Sequence, residues 1–270
     1  MNKYAVIGNP VDHSLSPTIH AQFAKQIGLS MSYKKILAPL DGFSVAAKNF
    51  ISSGALGFNI TAPFKVEAFD LVDEYTLNAK TAGAVNTIKV ENGTLYGENT
   101  DGIGLVNDLC NNLQQLIKGK DILILGAGGA TQGILLPLLE CQPGRILVAN
   151  RTKTKSLKLA NNFSEYGKVC GFGLDQIKAK PVDIIINATS ASLDGKIPEI
   201  PSGVAAGALC YDLMYGKQTP FMLWARKNSA LAVTDGLGML VEQAASAFAF
   251  WHGKTPETKE VLKSLRETTD

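Results

Sequence analysis

A chain of 270 residues is long enough for two modest domains or one large α/β domain. With 46% hydrophobic residues and a net charge of +2 it can build real cores, and it lacks the Lys/Arg block that a nucleic-acid partner normally requires. No apolar run is long enough to span a bilayer, and Met1 leads directly into the strand-like Lys3-Tyr4-Ala5-Val6-Ile7-Gly8 rather than a signal peptide, so a cytoplasmic protein is expected, with neither nucleic-acid nor membrane partners.

In chain order, strands are expected over 3–8, 32–37 and 55–61, with a helix over Pro17–Ile27 after the first. Thr87–Val90 and Thr94–Tyr96 flank Glu91-Asn92-Gly93, a hairpin signal because Asn-Gly favours positive φ. A helix over Ile103–Leu116 and the turn Lys118-Gly119-Lys120 lead to further strands over 121–126, 145–150, 183–189, 208–213 and 231–235, with a helix over Gly129–Glu140. Asp121-Ile122-Leu123-Ile124-Leu125 is apolar at successive positions, as in a strand buried on both faces of a parallel sheet. This alternation predicts an α/β fold with crossover connections. The expected parts are a mostly parallel-sheet domain over 1–100 and a Rossmann-like, doubly wound dinucleotide-binding domain over 101–236. C-terminal helices over 237–270 should pack back on the first domain, because Leu237–Trp251 is too apolar and Ala-rich for an exposed tail.

Cys110, Cys141, Cys170 and Cys210 form no C-x-x-C pair, and His13, His20 and His252 lack ligand spacing. No metal is expected, and the four thiols read as reduced, small apolar side chains.

Strand 121–125 runs into Gly126-Ala127-Gly128-Gly129-Ala130-Thr131 and then a helix pattern. Strand, Gly-rich turn and helix together are what a pyrophosphate site requires: glycine lets backbone N–H groups approach, and the helix N-terminus supplies partial positive charge. Thr131 stands where the G-x-G-x-x-G pattern has its third glycine. About 20 residues further on, an NAD enzyme places an acidic residue for the ribose 2′-hydroxyl. Here the residues are Asn150-Arg151-Thr152, followed by Lys155. Two cations and a hydroxyl suit a 2′-phosphate, so NADP is the expected cofactor.

Three further clusters stand at strand ends. His13-Ser14-Leu15-Ser16-Pro17 puts two hydroxyls beside a helix start, where an anion could bind, although such a pattern is more often simply a helix start. Asn59-Ile60-Thr61-Ala62-Pro63-Phe64-Lys65 places a cation where a helix begins, an unfavourable position without a functional reason. Ala84-Val85-Asn86-Thr87 and Asn99-Thr100-Asp101-Gly102 bring Asp101 to the domain junction.

Taken in order, these segments, with Asn187-Ala188-Thr189-Ser190 and Asp235-Gly236-Leu237-Gly238-Met239-Leu240-Val241, resemble the shikimate dehydrogenase family. The resemblance runs from residue 4 to Gly253. It implies NADPH-dependent, reversible reduction of 3-dehydroshikimate to shikimate in aromatic amino-acid biosynthesis, by a monomer or homodimer whose first domain holds the small-molecule substrate. By position, Lys65 and Asp101 match the family's catalytic pair, also in contact with substrate, and Ser14 and Ser16 its carboxylate-binding residues. Thr61, Asn86 and Gln243 match residues around the ring hydroxyls, and Tyr215 a further substrate contact. Gly126, Ala127, Gly128, Gly129, Ala130, Asn150, Arg151, Thr152, Lys155, Leu213 and Gly236 match cofactor contacts. Lys155 departs from the Arg of many members, Leu77 from a position that can carry a carboxylate, and Glu98 from the commoner Asp.

In such a reduction, hydride reaches the ketone carbon while a positioned ammonium stabilises the oxygen and gives it a proton. Proton transfer is assigned to the Lys65–Asp101 pair, with Lys65 favoured as donor. Two alternatives stay open at this point: a dehydrogenase of dual quinate and shikimate specificity, and a non-catalytic NADPH-sensing paralogue.

Overall fold

The alternation of short apolar runs with helix-length segments produces two six-stranded sheets, each in its own unit. The computed structural model describes residues 1–189, 191 and 195–269. Among them, Met1–Gly104 with Leu240–Thr268 forms one unit and Leu105–Met239 the other.

The first sheet contains β1 (Asn2–Gly8), β2 (Met31–Leu37), β3 (Ala55–Ile60), β4 (Glu74–Tyr75), β5 (Thr87–Glu91) and β6 (Thr94–Glu98), in the order β2-β1-β3-β5-β6-β4. β1 pairs in parallel with β2 and β3, whereas β5 is antiparallel to β3 and β6. The hairpin between β5 and β6 turns at Asn92 and Gly93, with φ of 53° and 85°, as the Asn-Gly pair predicted. One face of this sheet packs Ile7, Phe58, Ile60 and Ile88 against Phe43 and Phe50 of α2 (Phe43–Ser52) and Phe64. Burying each such side chain contributes roughly 1.5–3 kcal/mol. α1 (Ser16–Gln26) lies beside β2, and α9 (Leu237–His252) sends Trp251 onto the sheet. The Trp251 indole N–H donates to the Ile88 carbonyl at 2.9 Å, and a Cβ on Gly57 would lie 2.5 Å from the indole nitrogen. Glycine at 57 therefore makes room for the tryptophan.

The second sheet is wholly parallel: β7 (Asp121–Leu125), β8 (Arg145–Asn150), β9 (Val169–Gly173), β10 (Ile184–Asn187), β11 (Leu209–Asp212) and β12 (Ala232–Thr234), ordered β12-β11-β10-β7-β8-β9. The chain runs outward from β7 to β9 and then returns to the other side of β7 at β10. The strand order thus reverses between β7 and β10, the place where α/β sheets bind ligands at their carboxyl ends. α6 (Gly129–Glu140) and α7 (Lys153–Asn162) cover one face, and α8 (Pro220–Lys227) the other.

Some expected elements differ. β9 contains Gly171 and Gly173, which obscure it as a strand; a Cβ on Gly171 would sit 2.1 Å from the Ser156 carbonyl, so α7 can approach only a glycine. The two-residue β4 is too short to leave a periodic signal. The helix expected over Ile103–Leu116 is α5 (Asp101–Asn107) followed by a π-turn, Asp108–Asn112, in which Leu113 N–H bonds back to the Asp108 carbonyl at 2.9 Å. It stops there, and Gln114 adopts φ of 52°.

Candidate active site

Lys65 opens α3 (Lys65–Leu71) and Asp101 opens α5, so two helix starts of the first unit bring a cation and an anion together. Lys65 Nζ donates to Asp101 Oδ2 at 2.5 Å, with the side chains 31% and 12% exposed. That exposure leaves the pair reachable from outside, and the ammonium keeps two further donors for a ligand. The other carboxylate oxygen, Asp101 Oδ1, accepts from Asn86 Nδ2 at 2.7 Å.

Asn86 is buried and saturated. Its Nδ2 also donates to Thr100 Oγ1 at 3.1 Å, while its Oδ1 accepts from the Thr100 N–H at 2.9 Å and from Thr87 Oγ1 at 2.8 Å. Gln243 Oε1 stands 3.5 Å from Asn86 Nδ2 and 3.3 Å from Thr100 Oγ1. The Asp101 N–H donates to Asn99 Oδ1 at 3.2 Å, and Asn99 Nδ2 to the Ala84 carbonyl at 3.0 Å. These bonds fix both the carboxylate and the loop carrying it, because breaking one strands a buried polar group at about 1–3 kcal/mol.

Ser14 and Ser16 precede and open α1. Ser14 Oγ donates to Ser16 Oγ at 3.1 Å and accepts from the Ser16 N–H at 3.3 Å. The N-cap position belongs to Leu15, which supplies no side-chain cap. The Ser16 hydroxyl lies against the phenol of half-buried Tyr33. Tyr33 Oη donates to Asn59 Oδ1 at 2.7 Å, and Asn59 Nδ2 donates to the Asn86 carbonyl at 3.2 Å and to Thr87 Oγ1 at 2.9 Å. A chain of polar contacts therefore links the serine pair to Lys65 and Asp101. Thr61, also expected at the site, directly follows β3: its N–H donates to the Ile7 carbonyl at 2.9 Å, and a Cβ on Gly8 would lie 2.2 Å from its methyl.

Tyr33 and Thr100 complete this network, and the sequence pattern did not single them out as site residues. Tyr33 sits in a strand reading Ser32-Tyr33-Lys34-Lys35, with nothing to mark its hydroxyl as inward-facing. His20 stacks on Tyr33 with ring centroids 4.4 Å apart. It is fully buried, and burial pushes its pKa down to about 3. Asn59 beside it offsets little of that, and neither ring nitrogen reaches a partner at hydrogen-bond geometry. Glu98, the departure before Asn99, accepts from Thr76 Oγ1 and the Asn99 N–H, both at 2.7 Å. Its longer side chain turns onto its own neighbours, and burial pushes its pKa up. Leu77 is exposed in the first turn of α4 (Leu77–Ala82).

In the second unit the Gly-rich loop lies at the switch point. Gly126 has φ of 106°, and a Cβ there would press on the Ala188 carbonyl at 3.1 Å, so both conformation and packing require glycine. Thr131 is buried, and its Oγ1 donates to the Gly126 carbonyl at 2.9 Å. The threonine standing at the third glycine position therefore ties the loop to its helix. A Cβ on Gly128 or Gly129 would meet only open space, and Gly128 caps α6 without a side chain. The amides opening this twelve-residue helix are left for an external acceptor, with room for a phosphate over Gly128, Gly129 and Ala130, while Ala127 packs on the core.

After β8, Asn150 Nδ2 donates to the Thr152 carbonyl at 2.9 Å and shapes the turn into α7. Arg151, Thr152, Lys153 and Lys155 are exposed there, with no ion pair among the described residues. Cations crowding a helix N-terminus are unfavourable unless an anion joins them. Leu213 and Gly236 touch: a Cβ on Gly236 would lie 2.3 Å from the Leu213 carbonyl. Tyr215 is half-buried, and burial raises its phenol pKa. The donor set fits an NADP molecule. Among the described residues no group of three His, Cys, Asp or Glu could hold a metal, and no helix is long and apolar enough to cross a membrane. Ser190 lies outside the described residues.

The chain matches three family patterns: "Shikimate dehydrogenase substrate binding domain" over 6–88, "Shikimate / quinate 5-dehydrogenase" over 108–194 and "Shikimate 5'-dehydrogenase C-terminal domain" over 236–266. It is 64% identical over 266 residues to the shikimate dehydrogenase (NADP(+)) of Ruthia magnifica subsp. Calyptogena magnifica, covering 98% of this chain and 100% of that one. Among solved structures, it resembles an Ael1 enzyme from Pseudomonas putida (42% identity, TM-score 0.93, 98% of each chain). It also resembles the shikimate 5-dehydrogenase of Thermus thermophilus in complex with NADP(H) and shikimate (32% identity, TM-score 0.87, 99% of each chain).

Proposed function

We propose that this chain, which belongs to the shikimate dehydrogenase family, catalyses the reversible NADPH-dependent reduction of 3-dehydroshikimate to shikimate in aromatic amino-acid biosynthesis. The observation that carries the reading is the Lys65–Asp101 pair at 2.5 Å, with its carboxylate braced by Asn86 at 2.7 Å. When bound, the dinucleotide supplies the hydride in one direction and accepts it in the other. Lys65 meets the negative charge that develops on the ketone oxygen and delivers the proton. Asp101 keeps the ammonium aimed at that oxygen, and in the oxidation direction the pair receives the hydroxyl proton.

Ser14 and Ser16 bind the substrate carboxylate, a role supported by the two hydroxyls standing together, 3.1 Å apart, where α1 opens. Thr61, Asn86 and Gln243 hold the ring hydroxyls, and Tyr215 makes a further substrate contact. Gly126–Ala130 would receive the pyrophosphate and Arg151, Thr152 and Lys155 the 2′-phosphate, while Asn150, Leu213 and Gly236 would complete the cofactor contacts. The enzyme works in the cytoplasm as a monomer or homodimer.

The test is an absorbance assay at the nicotinamide band with shikimate or quinate and NADP⁺ or NAD⁺. Turnover should be fastest with shikimate and NADP⁺. Faster oxidation of quinate, or equal use of the two cofactors, would replace this reading with the dual-specificity one, and no turnover in any combination would sink it.

A further inference from the structure

Two of the four cysteines meet at the far end of the second unit. Cys110 lies in the π-turn Asp108–Asn112, and Cys141 caps the C-terminus of α6. Both are partly exposed, pack against the same core cluster and line one cavity of about 320 Å³ with Gln114, Gln115, Leu116, Ile117 and Lys118. The two thiols border the same cavity closely enough to perturb each other's ionisation, and the Cys141 thiol donates to the Pro137 carbonyl at 3.4 Å. Cys170 is exposed on β9 and Cys210 is buried in β11.

We propose that Cys110 and Cys141 form a redox-closable dithiol that a low-molecular-weight disulfide oxidises to an intramolecular disulfide bond. Closure requires the two sulfurs to approach to about 2.05 Å across the shared cavity. Each thiol stands where a helix stops, ahead of a residue with positive φ, Gln114 at 52° and Gln142 at 55°. These chain ends can absorb the shift more readily than a helix interior.

Burial pushes both thiols up, Cys141 to about 11, where Glu140 and Cys110 add to the effect, while Cys141 partly offsets the rise at Cys110. Either cysteine can attack first with the same balance of atoms; in one order Cys110 opens the exchange. Its thiolate attacks the external disulfide, forming a mixed disulfide and releasing one small thiol. The Cys141 thiolate then attacks the Cys110 sulfur, forming the protein S–S bond and releasing the second. The protein loses two protons and two electrons, and the external disulfide becomes two thiols. Because attack needs the thiolate, the rate rises with pH.

Folded wild-type protein is incubated with oxidised glutathione, alkylated and examined by intact mass and peptide mapping. The expected product lacks the mass of two hydrogens, contains a Cys110–Cys141 cross-link and reverts with dithiothreitol. Cys141→Ser should instead accumulate a glutathione adduct on Cys110, and Cys170→Ser should cross-link as wild type does. If Cys110 and Cys141 of the folded protein stay alkylatable while Cys170 takes the adduct, the proposal is overturned. The mapping is made on the wild-type chain, so its result depends neither on a misfolded variant nor on the outcome of the shikimate assay.

Discussion

The Lys65–Asp101 region and the Gly126–Lys155 region face ligands in opposite states of completion. Around Asp101, the buried side chains of Asn86, Thr87, Asn99 and Thr100 all find partners within the protein, and Lys65 keeps donors to spare. Around the Gly-rich loop, the opening amides of α6 lack a side-chain cap, and Arg151 and Lys155 are exposed without ion pairs among the described residues. The first region is preorganised for chemistry, where aiming a charge matters most. The second leaves exposed cations beside uncapped helix amides, an arrangement that favours a polyanion and would select a ligand carrying an extra phosphate.

The largest effect should come from breaking the finished region. Asp101→Ala removes the partner of Lys65 and one partner of Asn86, and kcat for shikimate oxidation should fall by about 10²–10⁴-fold. Steady-state kinetics with saturating NADP⁺ would show it; near-normal kcat would mean the pair is structural.

The dinucleotide loop was legible because its demands are local: strand, glycines and helix follow one another in the chain. The cations after β8 were legible for the same reason, lying at a set distance from that loop. Lys65 stood out through electrostatics, as a cation at a helix start, and the role proposed for it came from family resemblance. Tyr33 was not legible, because its partner Asn59 is 26 positions away and only strand pairing brings them together. Thr131 read as a flaw in a motif, and only the structure turned its hydroxyl toward the Gly126 carbonyl. β9 was hidden by glycines that serve the packing of α7 rather than the strand.

The finished region also carries an acid liability. His20 is held neutral beneath Tyr33, with its pKa lowered from 6.5 to about 3, so the unfolded chain binds a proton that the folded chain refuses. Stability should be unaffected by this group above pH 6.5 and fall as pH drops from 6.5 toward 3, by up to about 1.4 kcal/mol per pH unit. His20→Gln should flatten that part of a urea-unfolding series; an unchanged slope would show that His20 is accessible to protons in the fold.

Arg151→Ala probes the open region. It should weaken NADPH by roughly 1.5–3 kcal/mol, about 10–100-fold in KM, and leave NADH nearly unchanged. Equal losses for the two cofactors would reduce Arg151 to a support of the fold. Lys155→Ala should act in the same direction more weakly, since an ammonium lacks the guanidinium fork. The smallest effect belongs to Thr131→Val, which frees the Gly126 carbonyl at about 1 kcal/mol of stability. The melting temperature should fall slightly, and KM for NADP⁺ should rise with it if the hydroxyl also holds the loop in its binding shape.

The central claim, that Lys65 acts in the chemistry while other groups hold the substrate, is met most directly by Lys65→Ala. Shikimate binding is measured by calorimetry, and single-turnover NADP⁺ reduction is followed on the same preparation. Binding close to wild type with turnover lowered by about 10²–10⁴-fold is the predicted result. Near-normal turnover, or turnover lost only in proportion to binding, would contradict it.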